Sequence, residues 1–161
     1  MRNRLFRFAV LCAVVVQSLL VAGQQLTVQA EGGKQTVLSR ADIEALPRVK
    51  AVIGSDADSA TFEGVALKAV LEKAGIGFAE TMKGKRLASC LLVEAADGYR
   101  VVFALPEIDP AFTDKQVILA FLKNGKPLDA KEGPYRIVIP DEKRMARWVR
   151  QVTTLKVVDV Q

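Results

Sequence analysis

The carboxyl-terminal part of this 161-residue sequence gathers basic residues around its only tryptophan, Trp148. These residues are Lys143, Arg144, Arg147 and Arg150, with Arg136 on a predicted strand just upstream. Guanidinium groups form paired hydrogen bonds with phosphate or carboxylate, and an indole can stack on a planar ring. We therefore predict a site for a small anionic ligand at Arg136, Arg147 and Trp148. The alternative, which composition favours, is Trp148 as a core anchor with solvated arginines around it.

Nucleophile and metal chemistry is limited by the residue types that the sequence lacks. It contains no histidine, which excludes histidine metal ligands, Ser-His and Cys-His pairs and the commonest general base. Its two cysteines are Cys12 and Cys90, and Cys12 lies in a predicted export signal. Cys90 is then the only thiol of the mature chain, so an intramolecular disulfide is excluded. A lone thiol on an apolar strand is typical of a small core residue.

Acidic residues offer two further possibilities. A paired-carboxylate catalytic site could form around a predicted hairpin from Glu94, Asp97, Glu107 and Asp109. The polar loop at residues 54–59 could hold a cation through its aspartates, but it lacks the ligand spacing of a calcium loop. Turns and caps use the same residue types, so we expect structural carboxylates in the first case and a solvated turn in the second.

The amino terminus has the pattern of a secretory signal peptide. Arg2, Arg4 and Arg7 precede an apolar run that ends in small residues typical of a cleavage site. An uncleaved membrane anchor is the alternative, but polar residues interrupt the run before it reaches about 20 apolar residues. We predict a signal peptide at residues 1–23 and one mature domain at residues 24–161, in the periplasm or secreted.

The charge of the mature domain argues against a nucleic-acid partner. Removal of residues 1–23 removes three arginines and no acidic residue, so the formal charge falls from +5 to +2. Binding a phosphate backbone needs a concentrated basic face. We expect no nucleic-acid role.

The elements that would position these residues are short strands and short helices. Residues 91–110 predict a hairpin that turns at Asp97 and Gly98, and we place this hairpin at the centre of the sheet. An earlier hairpin is predicted around residues 31–33, and amphipathic spacing predicts a helix over residues 65–74. Many short strands without regular strand-helix alternation favour an α+β domain with mixed, mostly antiparallel sheets.

Several segments resemble one family, in the right order along nearly the whole mature chain. FEGVALKAVLEKAGI (residues 62–76) is similar to the WTGVPLxxLLxxAGV element of the sulfite-oxidase-type molybdopterin-binding domain. ADGYRVVFALPEIDP (96–110) resembles its DGY strand and LPL, and ILAFLKNGKPL (118–128) resembles LLAYxMNGxPL. EGPYRIVIP (132–140) is similar to HGxPxRLVVP, and ARWV (146–149) lies where the family has VKWL. The resemblance implies that fold, with layered sheets and a β-grasp-like element.

The resemblance also implies where a molybdenum ligand would lie. Family enzymes hold the metal through a pterin dithiolene and one cysteine that precedes the WTG element, which corresponds here to residues 49–61. That interval contains no cysteine, and Cys90 comes after the following helix. Ser55 or Asp56 would be a harder oxygen substitute for a thiolate. Glu132 also replaces the family histidine.

Export gives a second argument from the resemblance. Family enzymes of the periplasm receive their cofactor in the cytoplasm and generally carry a twin-arginine signal, whereas the arginines of this leader are not paired. The general secretory route threads an unfolded chain, which would arrive without cofactor. We therefore expect no bound cofactor, although molybdopterin remains possible from the resemblance.

The predicted function is a periplasmic binding or accessory module with this fold, without redox turnover. Its ligand would be a small anionic or pterin-like molecule at Arg136, Arg147, Trp148 and Cys90, and its partner a periplasmic or membrane redox protein. The alternative is an active molybdopterin-dependent oxidoreductase of the sulfite oxidase type, using Cys90 or an oxygen ligand. A purely structural or adhesion-like domain is a third possibility.

Overall fold

The computed structural model describes residues 24–55 and 58–160, in which ten strands form two sheets. The strands are β1 (Leu26–Gln29), β2 (Gln35–Leu38), β3 (Arg48–Ile53), β4 (Ala60–Ala66), β5 (Cys90–Ala95), β6 (Arg100–Ala104), β7 (Ile118–Lys123), β8 (Lys126–Pro127), β9 (Arg136–Val138) and β10 (Val152–Val158). Two α-helices, α1 (Arg40–Glu44) and α2 (Leu67–Lys73), accompany several 3₁₀ turns. The predicted signal peptide, residues 1–23, lies outside the described residues.

The first sheet has the strand order β2-β1-β10-β5-β6. The predicted hairpin forms from β5 and β6, which pair antiparallel with Leu91 opposite Phe103. The prediction that this hairpin lies at the centre of the sheet is wrong, because β6 is an edge strand and β10 is the central strand, between β1 and β5. A hairpin pattern specifies only the partner reached through the turn. The partner on the other side of β5 comes from a distant segment that the local pattern cannot identify.

The second sheet runs β3-β4-β7-β8, and β9 pairs with β7 beside β8. Strands β4 and β7 pair antiparallel and lie unusually close at Gly64, where an added Cβ would overlap the carbonyl oxygen of Leu119. Glycine is therefore required at this position, and any side chain would push the two strands apart. The close approach holds β4 against β7, and β7 in turn pairs with β9, the strand that carries Arg136.

Both helices follow local signals in the sequence. Helix α1 begins after Ser39, whose hydroxyl accepts a hydrogen bond from the Asp42 N–H while the Asp42 carboxylate accepts one from the Ser39 N–H. Helix α2 buries Leu67, Val70 and Leu71, as the predicted spacing requires. It is shorter than the predicted helix over residues 65–74, because β4 continues through Ala66 before the helix begins.

The buried side chains form one hydrophobic cluster to which both sheets contribute. In β5, Leu91, Val93 and Ala95 face this core, while Cys90 and Leu92 lie on the other, half-buried face. Only β1 and β10 run parallel among the described strand pairs, so the predicted α+β class with mainly antiparallel sheets is confirmed. In the described part of the chain, no helix combines the length and apolar character needed to cross a membrane.

Candidate ligand-binding site

Arg136 is held inside the protein by the pairing of β9. The N–H of Ile137 donates to the carbonyl of Val149, which brings the segment around Trp148 alongside β9. The Arg136 side chain is 9% exposed, and its Nη1 donates to Oε1 of Glu132. Its guanidinium carbon lies 5.3 Å from the centre of the Phe62 ring and 5.5 Å from that of Trp148. Arg136 is therefore stacked on two aromatic rings and already bound to a carboxylate.

Trp148 is a core residue, 4% exposed, and does not present its ring to solvent. It meets Phe62 edge to face, with ring centres 6.1 Å apart and ring planes at 89°. Neither Trp148 Nε1 nor Arg136 Nε has a hydrogen-bond acceptor among the described residues. The structure therefore places Trp148 as the core anchor that composition favoured.

Glu132 serves a second cation as well. The ammonium of Lys123 lies 3.5 Å from both Glu132 carboxylate oxygens and 5.5 Å from the centre of the Phe62 ring. One carboxylate thus faces two positive charges, Lys123 and Arg136. The sequence analysis missed this role of Glu132, and the spacing of four residues from Arg136 was no signal for it, because that spacing pairs charges on a helix and residues 132–136 are not helical.

Arg147 belongs to a separate network at the protein surface. A 3₁₀ turn at Met145–Arg147 carries it, and the Tyr99 hydroxyl donates to the Ala146 carbonyl at 2.8 Å, which ties this turn to the β5-β6 hairpin. Arg147 Nε donates to Glu142 at 2.8 Å and Nη1 to Glu107 at 3.0 Å. Its guanidinium carbon lies 4.7 Å from the centre of the Phe103 ring.

The electrostatics of Arg147 reflect these two carboxylates. Partial burial alone would lower the pKa of the guanidinium, but the hydrogen bonds and charges of Glu142 and Glu107 outweigh burial and raise the pKa. Arg147 therefore stays charged at all physiological pH values. Most of its hydrogen-bonding capacity is used within the protein.

A shallow cavity of about 360 Å³ lies beside Arg147. Lys143, Arg144 and Glu142 also line it. Lys143 and Arg144 are exposed, and neither forms an ion pair with another described residue. These two predicted cations line the cavity and remain available to a ligand, whereas Arg150 is also exposed but does not line it.

Cys90 lies apart from the arginines. It stands on the outward face of β5, opposite Ala104 of β6 and Val158 of β10, and is half-buried. Arg147 instead contacts Phe103, which pairs with the core-facing Leu91 on the opposite face of the sheet. The expectation that Cys90 is a small core residue is wrong, because the alternation of β5 turns it outward. The structure does not bring Cys90 to Arg136, Arg147 or Trp148.

The acidic residues around the hairpin bind separate partners. Glu94 pairs with Arg100, Glu107 accepts from the Ala104 N–H and pairs with Arg147, and Asp97 accepts from the Tyr99 N–H. These contacts agree with the expectation of structural carboxylates.

Asp109 has the most enclosed carboxylate of this group, at 1% exposure. It accepts hydrogen bonds from the N–H groups of Ala79 and Ala111 and lies 3.5 Å from the Lys68 ammonium. Burial acts to raise its pKa, but these partners outweigh burial and hold the pKa below its usual value. Asp109 is therefore an ionised structural residue.

The donor set does not fit a molybdenum cofactor held in the manner that the resemblance implies. No group of three or more Cys, His, Asp or Glu side chains within residues 24–55 and 58–160 could hold a metal ion. The interval at residues 49–61 offers no thiolate, and Asp56 within it lies outside the described residues. Cys90, the only cysteine among the described residues, lies on the sheet face opposite the one that contacts Arg147, and Arg136 and Arg147 are each bound to glutamate.

Comparisons with known proteins agree with the fold. Residues 16–161 match the model of the oxidoreductase molybdopterin binding domain. No curated protein sequence matches the chain. Among solved structures, it is similar to the sulfane dehydrogenase SoxCD from Paracoccus pantotrophus, with a TM-score of 0.65 and 21% identity. The similarity covers 85% of this chain and 38% of that chain, so this chain spans well under half of the larger one. Since the family model covers all of the predicted mature domain, this chain belongs to the oxidoreductase molybdopterin binding domain family.

Proposed function

We propose that this protein is an exported member of its family that binds a small anionic ligand without redox turnover. The observation that carries the proposal is the separation of the Cys90 thiol from Arg147, which contacts Phe103 on the opposite face of the first sheet. A soft metal is retained best by a thiolate directed into the site that binds the rest of its cofactor. Here the Cys90 thiol and the Arg147 guanidinium lie on different faces of the sheet and are not arranged to hold one cofactor between them.

The proposed ligand site is the cavity beside Arg147. Its volume of about 360 Å³ is at the lower end of the range for small-molecule sites, and Lys143 and Arg144 supply charge that no described carboxylate neutralises. Arg147 forms one fixed side of the cavity, because Glu142 and Glu107 hold its guanidinium in place and offset its charge. A carboxylate or phosphate group suits this arrangement, whether on a small metabolite or on a pterin-like molecule.

Export to the periplasm by the general secretory route is part of the same proposal. The predicted leader at residues 1–23 supports it, because its arginines are not consecutive, as a twin-arginine signal requires, and they precede an apolar run. A periplasmic or membrane redox protein is the partner that we propose for the bound form, since the family is one of oxidoreductase domains.

Metal analysis tests the absence of redox turnover. The protein should be purified from the periplasm of cells grown with molybdate, and its molybdenum measured by mass spectrometry. We expect far less than one molybdenum atom per chain. Stoichiometric molybdenum would reject the proposal.

A charge-neutralising pair of substitutions tests the ligand site. Titration calorimetry with inorganic phosphate at low salt should give about tenfold weaker binding for Lys143→Gln/Arg144→Gln than for the unaltered protein. The control is Lys126→Gln/Lys131→Gln, which removes the same charge from exposed lysines elsewhere and should leave binding nearly unchanged. Equal losses in both variants would indicate only a general charge effect and would contradict the site.

Family membership favours one second candidate, an active molybdopterin-dependent oxidoreductase that uses Cys90 or an oxygen ligand such as Ser55. The half-buried Cys90 thiol is compatible with a ligand that approaches from the outer face of the sheet. If Cys90 is the ligand, Cys90→Ser must abolish sulfite or sulfoxide chemistry. Unchanged activity in that variant would eliminate Cys90 as the ligand.

A further inference from the structure

A second cavity, of about 350 Å³, lies between helix α2, the start of β3 and the loop at residues 108–117. It is at the end of the β3-β4 hairpin where Arg48 pairs with Val65. The loop at residues 54–59 connects the other end, where Ile53 pairs with Ala60. Of the described residues in the interval 49–61, Val49, at its start, lines the cavity, and the loop at residues 54–59 lies at the far end of the hairpin.

The floor of this cavity is apolar and hydrogen-bonded to the start of α2. Ile108, Val117 and Ile118 line it and are almost completely buried, so they belong to the core as well as to the cavity. The backbone N–H of Leu67 donates to the carbonyl of Val117 at 2.9 Å, which fixes the floor to the start of α2. The cavity therefore lies between elements that are hydrogen-bonded to each other.

The rim of the cavity carries charges that are balanced within the protein. Lys68 lies 3.5 Å from Glu72 and 3.5 Å from the buried Asp109, and Lys115 lies 3.8 Å from Glu107. The charged residues that line the cavity are two lysines, Lys68 and Lys115, and two acids, Glu72 and Asp114. A rim of this kind has no excess charge with which to select an anion or a cation.

We propose that this cavity binds an uncharged, mainly apolar small molecule. Small-molecule sites combine an apolar lining with a few polar groups and usually have about 300 to 1,000 Å³ of volume, as here. That volume is enough for a molecule of one or two rings and far less than a protein element would need. The lysine and acid side chains of the rim supply hydrogen bonds to one polar substituent of the ligand. This inference does not rest on the proposed function, because the two cavities share no lining residue.

Fluorescence of N-phenyl-1-naphthylamine, an uncharged dye that brightens in apolar sites, tests the proposal. The matched variants are Ala69→Phe, which fills the cavity from α2, and Ala41→Phe, which adds the same ring to an exposed position of α1. We expect Ala69→Phe to bind the dye about tenfold more weakly than the unaltered protein, and Ala41→Phe to bind it equally well. Thr113→Trp, at the loop side of the cavity, should have the same effect as Ala69→Phe and replaces it if that variant does not fold.

The anionic dye 1-anilinonaphthalene-8-sulfonate separates the proposed chemistry from simple apolar adhesion. We expect it to bind more weakly than the uncharged dye, because the balanced rim offers no unpaired cation. Absence of binding by the uncharged dye would overturn the proposal. Equal binding by Ala69→Phe, or tighter binding of the anionic dye, would overturn it too.

Discussion

Arg136 and Arg147 were predicted for one ligand site, yet they lie in different surroundings. Arg136 is buried between Phe62 and Trp148 and binds Glu132, whereas Arg147 lies near the surface between Glu107 and Glu142. A buried charge depends on its partner because water cannot replace that partner. A charge near solvent loses little when one partner is removed. The difference separates an arginine that maintains the fold from one that borders a cavity.

The largest effect is expected from Glu132→Gln, which leaves Arg136 and Lys123 without their shared carboxylate. Since removal of one partner from a buried ion pair typically costs 3 to 5 kcal/mol, we expect a loss of about 3 kcal/mol in the free energy of unfolding. Urea denaturation monitored by Trp148 fluorescence measures it. The double variant Glu132→Gln/Arg136→Met should recover much of the loss, and failure to recover any would contradict the assignment of the cost to the unpaired charge.

Tyr135 provides a pH-dependent measure of the buried region next to Arg136. Its ring is buried and its hydroxyl donates to the Gln24 carbonyl at 2.9 Å, and burial raises the pKa of Tyr135 to about 12. The unfolded chain releases the phenol proton near pH 10, so the folded state holds the extra proton between about pH 10 and 12. The free energy of unfolding should therefore fall by about 2 kcal/mol as pH rises through that window.

Tyr135→Phe is the control for this titration, because it removes the ionisable hydroxyl and keeps the ring. The difference in pH dependence between Tyr135→Phe and the unaltered protein isolates the contribution of this one group. Parallel stability curves for the two proteins between pH 10 and 12 would contradict the buried environment of Tyr135.

The smallest effect is expected at the surface network, from Glu107→Gln. Arg147 keeps Glu142 in that variant, so the free energy of unfolding should fall by no more than about 1 kcal/mol. Most of this difference should disappear at 1 M salt, where exposed charges are screened. Thermal denaturation at low and high salt provides the test. A salt-independent loss as large as that of Glu132→Gln would remove the contrast between the two arginines.

Local structure was predictable from the sequence where neighbouring residues determine it. The capping box at Ser39 and Asp42, the hairpin turn at Asp97 and Gly98 and the end of α2 at Gly75 depend on backbone preferences and short-range hydrogen bonds. Gly75 adopts a φ of +91°, which glycine tolerates more readily than other residues.

The arrangement of the candidate site was not predictable in the same way. At the start of β5, Cys90, Leu91 and Leu92 are all apolar, so periodicity does not indicate which face is buried. The burial of Arg136 depends on Phe62 and Trp148, which approach it from distant parts of the chain. Charge spacing draws attention to Arg136 and Arg147 but cannot distinguish an internal ion pair from a ligand contact.

The central position of β10 has a consequence for the order of assembly. Its neighbours β1 and β5 are synthesised earlier, and the first sheet lacks its middle until residues 152–158 have been made. Pairing between segments so far apart in the chain is slow to nucleate. The first sheet of a nascent polypeptide of this design can be completed only after β10 has been made, which is compatible with the proposed export of an unfolded chain.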